Sequence, residues 1–237
     1  MLIGGLQKLT LIDFPGKVAC TVFLSGCNFR CPFCYSPELV LPGQIKNRPG
    51  ISEKEFFDFL KERKNLLEGI VICGGEPTSD KKLPVFLKKI KKMGFFVKLD
   101  TNGSNPEMLK KLIDKKLIDY VAMDIKGPKR KYGQIAGTKI DIEKIQKSIN
   151  ILKDLPAGRQ GTVDYEFRST IVPSLHTKED IIEMAKWIKG ARRYYLQAFL
   201  PGKNLNSEFE KIKPYPGDFL LKIQMAVSPF FEICQVR

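Results

Sequence analysis

Residues 18–39 read VACTVFLSGCNFRCPFCYSPEL, an apolar run that stops at Ser25-Gly26 and opens into a loop bearing Cys27, Cys31 and Cys34. Valine, threonine and phenylalanine crowd positions 18–24, which predicts a buried strand. Pro32 interrupts helical hydrogen bonding and Asn28 favours a turn, so three thiols from one short loop can converge on one centre. An iron–sulfur cube normally takes four cysteines, so three leave one iron open to a further ligand. Phe33 sets an aromatic face beside the third thiol, where a flat ligand ring could stack. A structural zinc knuckle is the competing reading of Cys31-x2-Cys34. It needs a fourth ligand: His176 is far away in sequence, whereas Cys20 and Cys73 remain open as candidates.

Outward from this stretch the chain alternates strand and helix. Further strands are predicted at 70–73, 95–100, 120–125, 163–172 and 193–199, and helices at 53–65, 106–116, 141–155 and 178–189. Between the second and third strands lies a lysine-faced helix whose stripe of Leu83, Phe86, Leu87, Ile90 and Met93 turns Lys81, Lys82, Lys88, Lys89, Lys91 and Lys92 to the opposite side. Ser52 with Glu55, and Thr177 with Asp180, predict capped helix starts. A helix near 219–227 and a strand at 230–236 close the chain, and 156–161 reads as a loop. Strands alternating with helices of this length imply parallel strands with helical crossovers. The expectation is an α/β fold, a partial (β/α)6 TIM-like barrel in a single domain spanning 1–237, with the cysteine loop at 25–36. In such barrels the active site gathers at the carboxyl ends of the strands.

The polar motifs fall at those ends. Gly74 and Gly75 allow a sharp turn and a close approach, and Glu76 can accept hydrogen bonds from a ligand ammonium. The third strand ends in Asp100, Thr101 and Asn102, the fourth in Asp124 and Lys126. Each ending alone is a plain turn; their repetition across successive strands favours function. In the fifth strand, period two puts Glu166, Arg168 and Thr170 on one face. A charge inside a barrel either serves the site or is satisfied by a partner. Arg168 is therefore a ligand-contact candidate, with an ion pair to Glu166 as the alternative. Gln197 and Phe199 end the sixth strand on the expected substrate side, while His176 sits beside a helix cap and reads as structural. Cys20 and Cys234 lie in apolar runs and read as core.

The 237 residues carry a net charge of +14 and 43% hydrophobic residues, and no run is long enough to cross a bilayer. Residues 1–16 lack the layout of a signal peptide, so a cytoplasmic, reducing compartment is expected, with free thiols rather than disulfides. Much of the charge lies on the solvated faces of helices without interleaved aromatic residues. That disfavours a nucleic-acid partner and leaves attraction of an acidic protein open.

The cysteine loop, followed by Gly74-Gly75-Glu76-Pro77, resembles the radical S-adenosylmethionine (radical SAM) superfamily. The strand ends LDTNG and MDIKG, with the lead-in TLIDFPG, resemble its branch of glycyl-radical-enzyme activating enzymes, typified by pyruvate formate-lyase activating enzyme. The stretches LIDFPGKVACTVFLSGCNFRCPFCYSPELV and RSTIVPSLHTKEDI are most similar to the activating proteins of anaerobic ribonucleoside-triphosphate reductase. The resemblance implies a [4Fe-4S] cluster on Cys27, Cys31 and Cys34, with SAM on its open iron. Gly74, Gly75 and Glu76 would hold the methionine amino group. Asp100, Thr101 and Asp124 would lie beside the SAM carboxylate with room for a monovalent cation, and Lys126 would complete the polar wall. A flavodoxin or ferredoxin-type reductant would supply the electron, and a glycyl radical protein would receive the radical. Many relatives carry His-Asn where this chain has Tyr35-Ser36, and often Ser or Thr in place of Cys73. Two rivals stay open: a radical SAM enzyme acting on RNA or a small molecule, and a non-enzymatic iron–sulfur or zinc module.

Overall fold

The computed structural model describes residues 1–47, 49–156 and 162–237. Eight strands form one sheet in chain order: β1 (Ile3–Thr10), β2 (Ala19–Leu24), β3 (Gly69–Gly74), β4 (Phe96–Thr101), β5 (Tyr120–Asp124), β6 (Asp164–Ile171), β7 (Arg193–Ala198) and β8 (Ile233–Val236). β1 runs antiparallel to β2, and every later pair is parallel. The α/β partial barrel expected from the alternation is therefore present, with six strand–helix units, a closing strand and an antiparallel strand at its start.

The helices are α1 (Pro37–Val40), α2 (Pro42–Lys46), α3 (Glu53–Glu62), α4 (Leu83–Lys92), α5 (Pro106–Asp114), α6 (Tyr132–Ala136), α7 (Ile142–Lys153), α8 (Lys178–Trp187) and α9 (Gly217–Val227). Both predicted capping boxes form, Ser52 with Glu55 on α3 and Thr177 with Asp180 on α8. In α4, Leu83, Phe86, Leu87 and Ile90 are buried, and each large aliphatic side chain so placed contributes about 1.5–3 kcal/mol. Met93, which closes that stripe in the sequence, falls at the C-cap. Most helices end one to three residues earlier than the sequence predicts, because their last turns tighten into caps. The predicted loop 156–161 lies outside the described residues beyond Pro156.

Alternation along the strands separates two environments. Cys20, Val22, Ile70, Ile72, Val97, Leu99, Val121 and Met123 join the large core beneath the helices. Ala19, Val71 and Tyr120 face the other way and, with Phe14, form a small apolar cluster inside the curve of the sheet. Cys20 and Cys234 are buried, as the apolar runs imply.

β1 is the element that sequence reading misses. Gly4 and Gly5 dilute the pattern, and Gln7, Lys8 and Leu9 are solvent-exposed, so no period-two signal survives. TLIDFPG therefore follows the first strand rather than preceding it. Among the described residues no helix is long and apolar enough to cross a membrane.

Candidate active site

Parallel register brings the carboxyl ends of the strands level. Leu24 pairs with Gly74, Thr101 with Met123, and Asp124 with Arg168. At this end lies a cavity of about 220 Å³ lined by all three loop cysteines and by the residues predicted to hold the ligand: Phe33, Gly74, Gly75, Glu76, Asp100, Thr101, Asn102, Asp124, Lys126 and Arg168.

The cysteine loop is fixed from three sides. Gly75 N–H donates to Leu24 O at 2.8 Å and Glu76 N–H to Gly26 O at 2.7 Å. A Cβ on Gly75 would stand 2.0 Å from Gly26 O, and Gly74 holds φ +118°, so the two glycines serve a backbone crossing between β3 and the loop. The close approach predicted for a ligand is thus also an approach to the chain itself. On the second side, Arg30 N–H donates to Ala136 O at the end of α6, and its guanidinium donates to Cys27 O and Phe29 O. On the third, Leu205 N–H and Asn206 N–H donate to Cys34 O and Pro32 O, each at 2.9 Å. Leu200 N–H donates to the Tyr35 hydroxyl, whose ring stacks on Phe199 at 6.0 Å.

Burial pushes the Cys27 thiol up to about 12 and the Cys31 thiol up to about 11, the latter opposed by Lys126. Among the described residues no three His, Cys, Asp or Glu side chains surround a single-ion position. The thiols instead share the wall of one larger cavity, which suits a multi-iron core. Cys20 is not among its lining residues; Cys73 is, and burial pushes its thiol up to about 12.

Glu76 is 3% exposed and ties two strand ends together. Its Oε1 accepts from Thr78 N–H at 3.0 Å, from the Thr78 hydroxyl and from the Thr101 hydroxyl at 2.7 Å; Oε2 accepts from Asn102 N–H at 2.6 Å. Burial raises its pKa despite these donors. A carboxylate oxygen offers about two acceptor sites, so Oε1 is saturated and Oε2 retains capacity for one more donor. Asn102 Nδ2 donates to Asn28 Oδ1, so this side chain also anchors the cysteine loop.

Across β4, β5 and β6 runs a chain of charges. Lys98 Nζ lies 2.7 Å from Asp100 Oδ1, Arg168 Nη2 3.1 Å from Asp100 Oδ2, Arg168 Nε 3.3 Å from Asp124 Oδ1, and Lys126 Nζ 3.0 Å from Asp124 Oδ2. Burial works against each charge here, yet the paired groups outweigh it: Asp124 is lowered, and Lys126 and Arg168 are raised. The Lys98 contact is an ion pair that lacks hydrogen-bond geometry, so Asp100 Oδ1 stays buried without a donor. Three cations face two carboxylates in this chain, an excess that suits a ligand carboxylate. The ion pair of Arg168 with Glu166 does not form; Glu166 instead accepts from the Tyr120 hydroxyl and from Arg237.

Lys126 Nζ lies 5.9 Å from the Phe33 ring centroid. Its loop is held by His176, whose Nδ1 accepts from Val172 N–H at 3.0 Å and whose Nε2 bonds Lys126 O at 2.8 Å. His176 is fully buried and structural. Gln197 and Phe199 do not line the cavity. Phe29 and Val40 do, and sequence reading passes over them because lone apolar residues read only as packing. Lys98 was likewise legible only as a lone charge in an apolar run.

A sequence profile of the Radical SAM superfamily matches residues 21–188. The chain is 37% identical over 221 residues to MJ1227 of Methanocaldococcus jannaschii, provisionally described as a glycyl-radical enzyme activating enzyme, covering 92% of this chain and 87% of that one. It is 26% identical over 220 residues to the pyruvate formate-lyase-activating enzyme of Clostridium pasteurianum, covering 89% and 86%. In fold it is similar to Streptococcus suis SuiB bound to S-adenosylmethionine, with a TM-score of 0.64 at 14% identity, covering 91% of this chain and 51% of that one. The chain thus spans about half the length of SuiB. With the cysteine loop, the glycine crossing and the charged strand ends already converging on one cavity, the match over residues 21–188 makes the chain a member of the radical SAM superfamily, on the branch of the glycyl-radical-enzyme activating enzymes.

Proposed function

We propose that this protein installs a glycyl radical on an anaerobic ribonucleoside-triphosphate reductase. The observation that carries the radical chemistry is that three cysteines of one loop share a single cavity with Glu76, Asp124, Lys126 and Arg168, while the choice of reductase rests on the resemblance of residues 11–40 and 168–181. Membership of the superfamily implies a [4Fe-4S] cluster and SAM, and the residues present fit both: three thiols on one cavity wall, and three cations, Lys98, Lys126 and Arg168, facing only two carboxylates. When bound, cluster and SAM supply one-electron cleavage of a carbon–sulfur bond and a 5′-deoxyadenosyl radical able to take a hydrogen atom.

The chain's own residues orient and shield that chemistry. Cys27, Cys31 and Cys34 hold the cluster. Lys126 and Arg168 hold the SAM carboxylate, Oε2 of Glu76 accepts from its ammonium, and Phe33 offers the adenine a face. The monovalent cation that the resemblance implies meets no free carboxylate at this place, since Asp100 and Asp124 are already paired with Lys98, Arg168 and Lys126. The segment around 200–206, hydrogen-bonded to the cysteine loop, screens its outer side from water. A flavodoxin or ferredoxin-type protein serves as reductant, and the cytoplasm as compartment.

A second reading rests on the Clostridium pasteurianum relative, whose likeness covers 89% of the chain: the acceptor is then pyruvate formate-lyase. Supplying each candidate acceptor with glycine deuterated at Cα separates the two. Deuterium should appear in 5′-deoxyadenosine with the reductase; its appearance only with the lyase would transfer the assignment.

A further inference from the structure

A groove of about 710 Å³ runs along the outer wall between α4 and α5, remote from the cysteine loop. Lys81, Lys88, Lys92, Lys111, Lys115 and Lys116 line it, and none has an ion-pair partner among the described residues. Lys91, also in its wall, is the exception, held by Asp119 at 2.6 Å. No acidic residue lines the groove.

Solubility alone does not require this arrangement. Elsewhere the chain intersperses its signs: Asp58 lies 2.8 Å from both Lys54 and Lys61 on α3, and Asp218 2.6 Å from Lys222 on α9. Here Lys88 and Lys92, and Lys111 and Lys115, stand four residues apart, a spacing at which like charges destabilise a helix. Favourable interaction with helix dipoles accounts for the last turns of α4 and α5 but not for Lys81, which precedes α4.

Lys116 supplies an independent sign. Past the ends of α4, α6 and α8 the left-handed residue is glycine, with Gly94 at φ +93°, Gly137 at +66° and Gly190 at +84°. After α5 that place is taken by Lys116 at φ +52°, the one non-glycine residue with positive φ among the described residues. The chain accepts backbone strain that glycine would relieve, and in return keeps an ammonium on the groove.

The floor decides the occupant. Pro84, Val85 and Leu117 form it; Pro84 and Leu117 are buried, and Val85, 62% exposed, is the apolar side chain open to an occupant. A phosphate backbone gains nothing from an apolar floor, and no aromatic side chain offers a base a stacking face. Apolar side chains of a peptide do gain from it. We propose that the groove docks an acidic peptide segment of a protein partner, with carboxylates on the lysine walls and one or two aliphatic side chains on the floor, tethering that partner independently of the chemistry in the cavity.

Fluorescence anisotropy at low salt with three labelled probes tests this: a short acidic peptide carrying two leucines, an all-glutamate peptide of equal length, and an oligothymidine. The leucine-bearing peptide should bind tightest, and K88E/K115E should weaken it about ten-fold or more, whereas K8E, outside the groove, should not. K116G should raise Tm by about 2–4 °C while weakening the peptide. Oligothymidine binding as tightly as the peptide, or peptide binding indifferent to K88E/K115E, would overturn the proposal.

Discussion

Arg168 and Asp124 stand opposite each other on neighbouring strands, with Arg168 Nε 3.3 Å from Asp124 Oδ1. The same guanidinium reaches Asp100 on β4, so one side chain bridges two carboxylates that belong to two different strands. Removing it leaves Asp100 with Lys98 alone and Asp124 with Lys126 alone. We expect R168A to lose SAM binding and to lower stability by about 1.5–3 kcal/mol, the cost of losing charge-assisted bonds to two buried carboxylates that each keep one lysine. R168K keeps the charge but not the planar fork and should fall between. Calorimetric titration with SAM and thermal unfolding check both; an R168A protein with wild-type SAM affinity contradicts the assignment.

Glu76 joins the ends of β3 and β4 through four donors. Glutamine at this position replaces one acceptor by a donor and must face an N–H or hydroxyl that already donates. E76Q should cost about 1–3 kcal/mol of stability and weaken SAM binding at least ten-fold. Hydrogen exchange should localise the loosening to the ends of β3 and β4; global loosening would point to misfolding instead.

Alanine at Cys27, Cys31 or Cys34 should abolish cluster assembly and SAM cleavage, because three thiols are the minimum the loop offers. Cys20, buried in the core and absent from the cavity wall, is the control. C20A should lose some stability but retain the brown cluster absorbance after anaerobic reconstitution. A zinc-loaded, colourless wild-type protein under the same conditions would favour the zinc-module rival.

His176 bears on pH dependence. Burial lowers its pKa below the ordinary 6.5, so the folded protein keeps the ring neutral while the unfolded chain protonates it. Its contribution is therefore present above 6.5 and is lost as pH falls from 6.5 through the lower folded value. Urea unfolding across that window should show stability falling with pH in the wild type and a shallower fall in H176Q. Identical slopes would mean the ring titrates normally.

Much of the fold was legible because its strands are buried on both faces and its helices carry one-sided stripes. Ile70–Ile72 and the α4 stripe leave little choice of element. β1 was not, since its exposed polar face and paired glycines erase the alternation. The candidate site was legible where chemistry repeats at strand ends, as with Asp100, Asp124 and Lys126. Pairing within it was not: Arg168 and Glu166 share a face in sequence, yet the partners of Arg168 come from β4 and β5, and spacing carries no information about which strands lie close. The same holds for Glu76, whose Thr101 and Asn102 donors are 25 and 26 residues away.

The most direct measurement is electron paramagnetic resonance of the anaerobically reconstituted, reduced protein mixed with SAM and an anaerobic ribonucleoside-triphosphate reductase from the same cell. A glycyl-radical doublet on the reductase, matched by release of 5′-deoxyadenosine and absent in the C31A variant, is the result we expect. Release of 5′-deoxyadenosine with no doublet on the reductase or on any other glycyl-radical protein would contradict it, leaving a radical SAM enzyme with a different substrate.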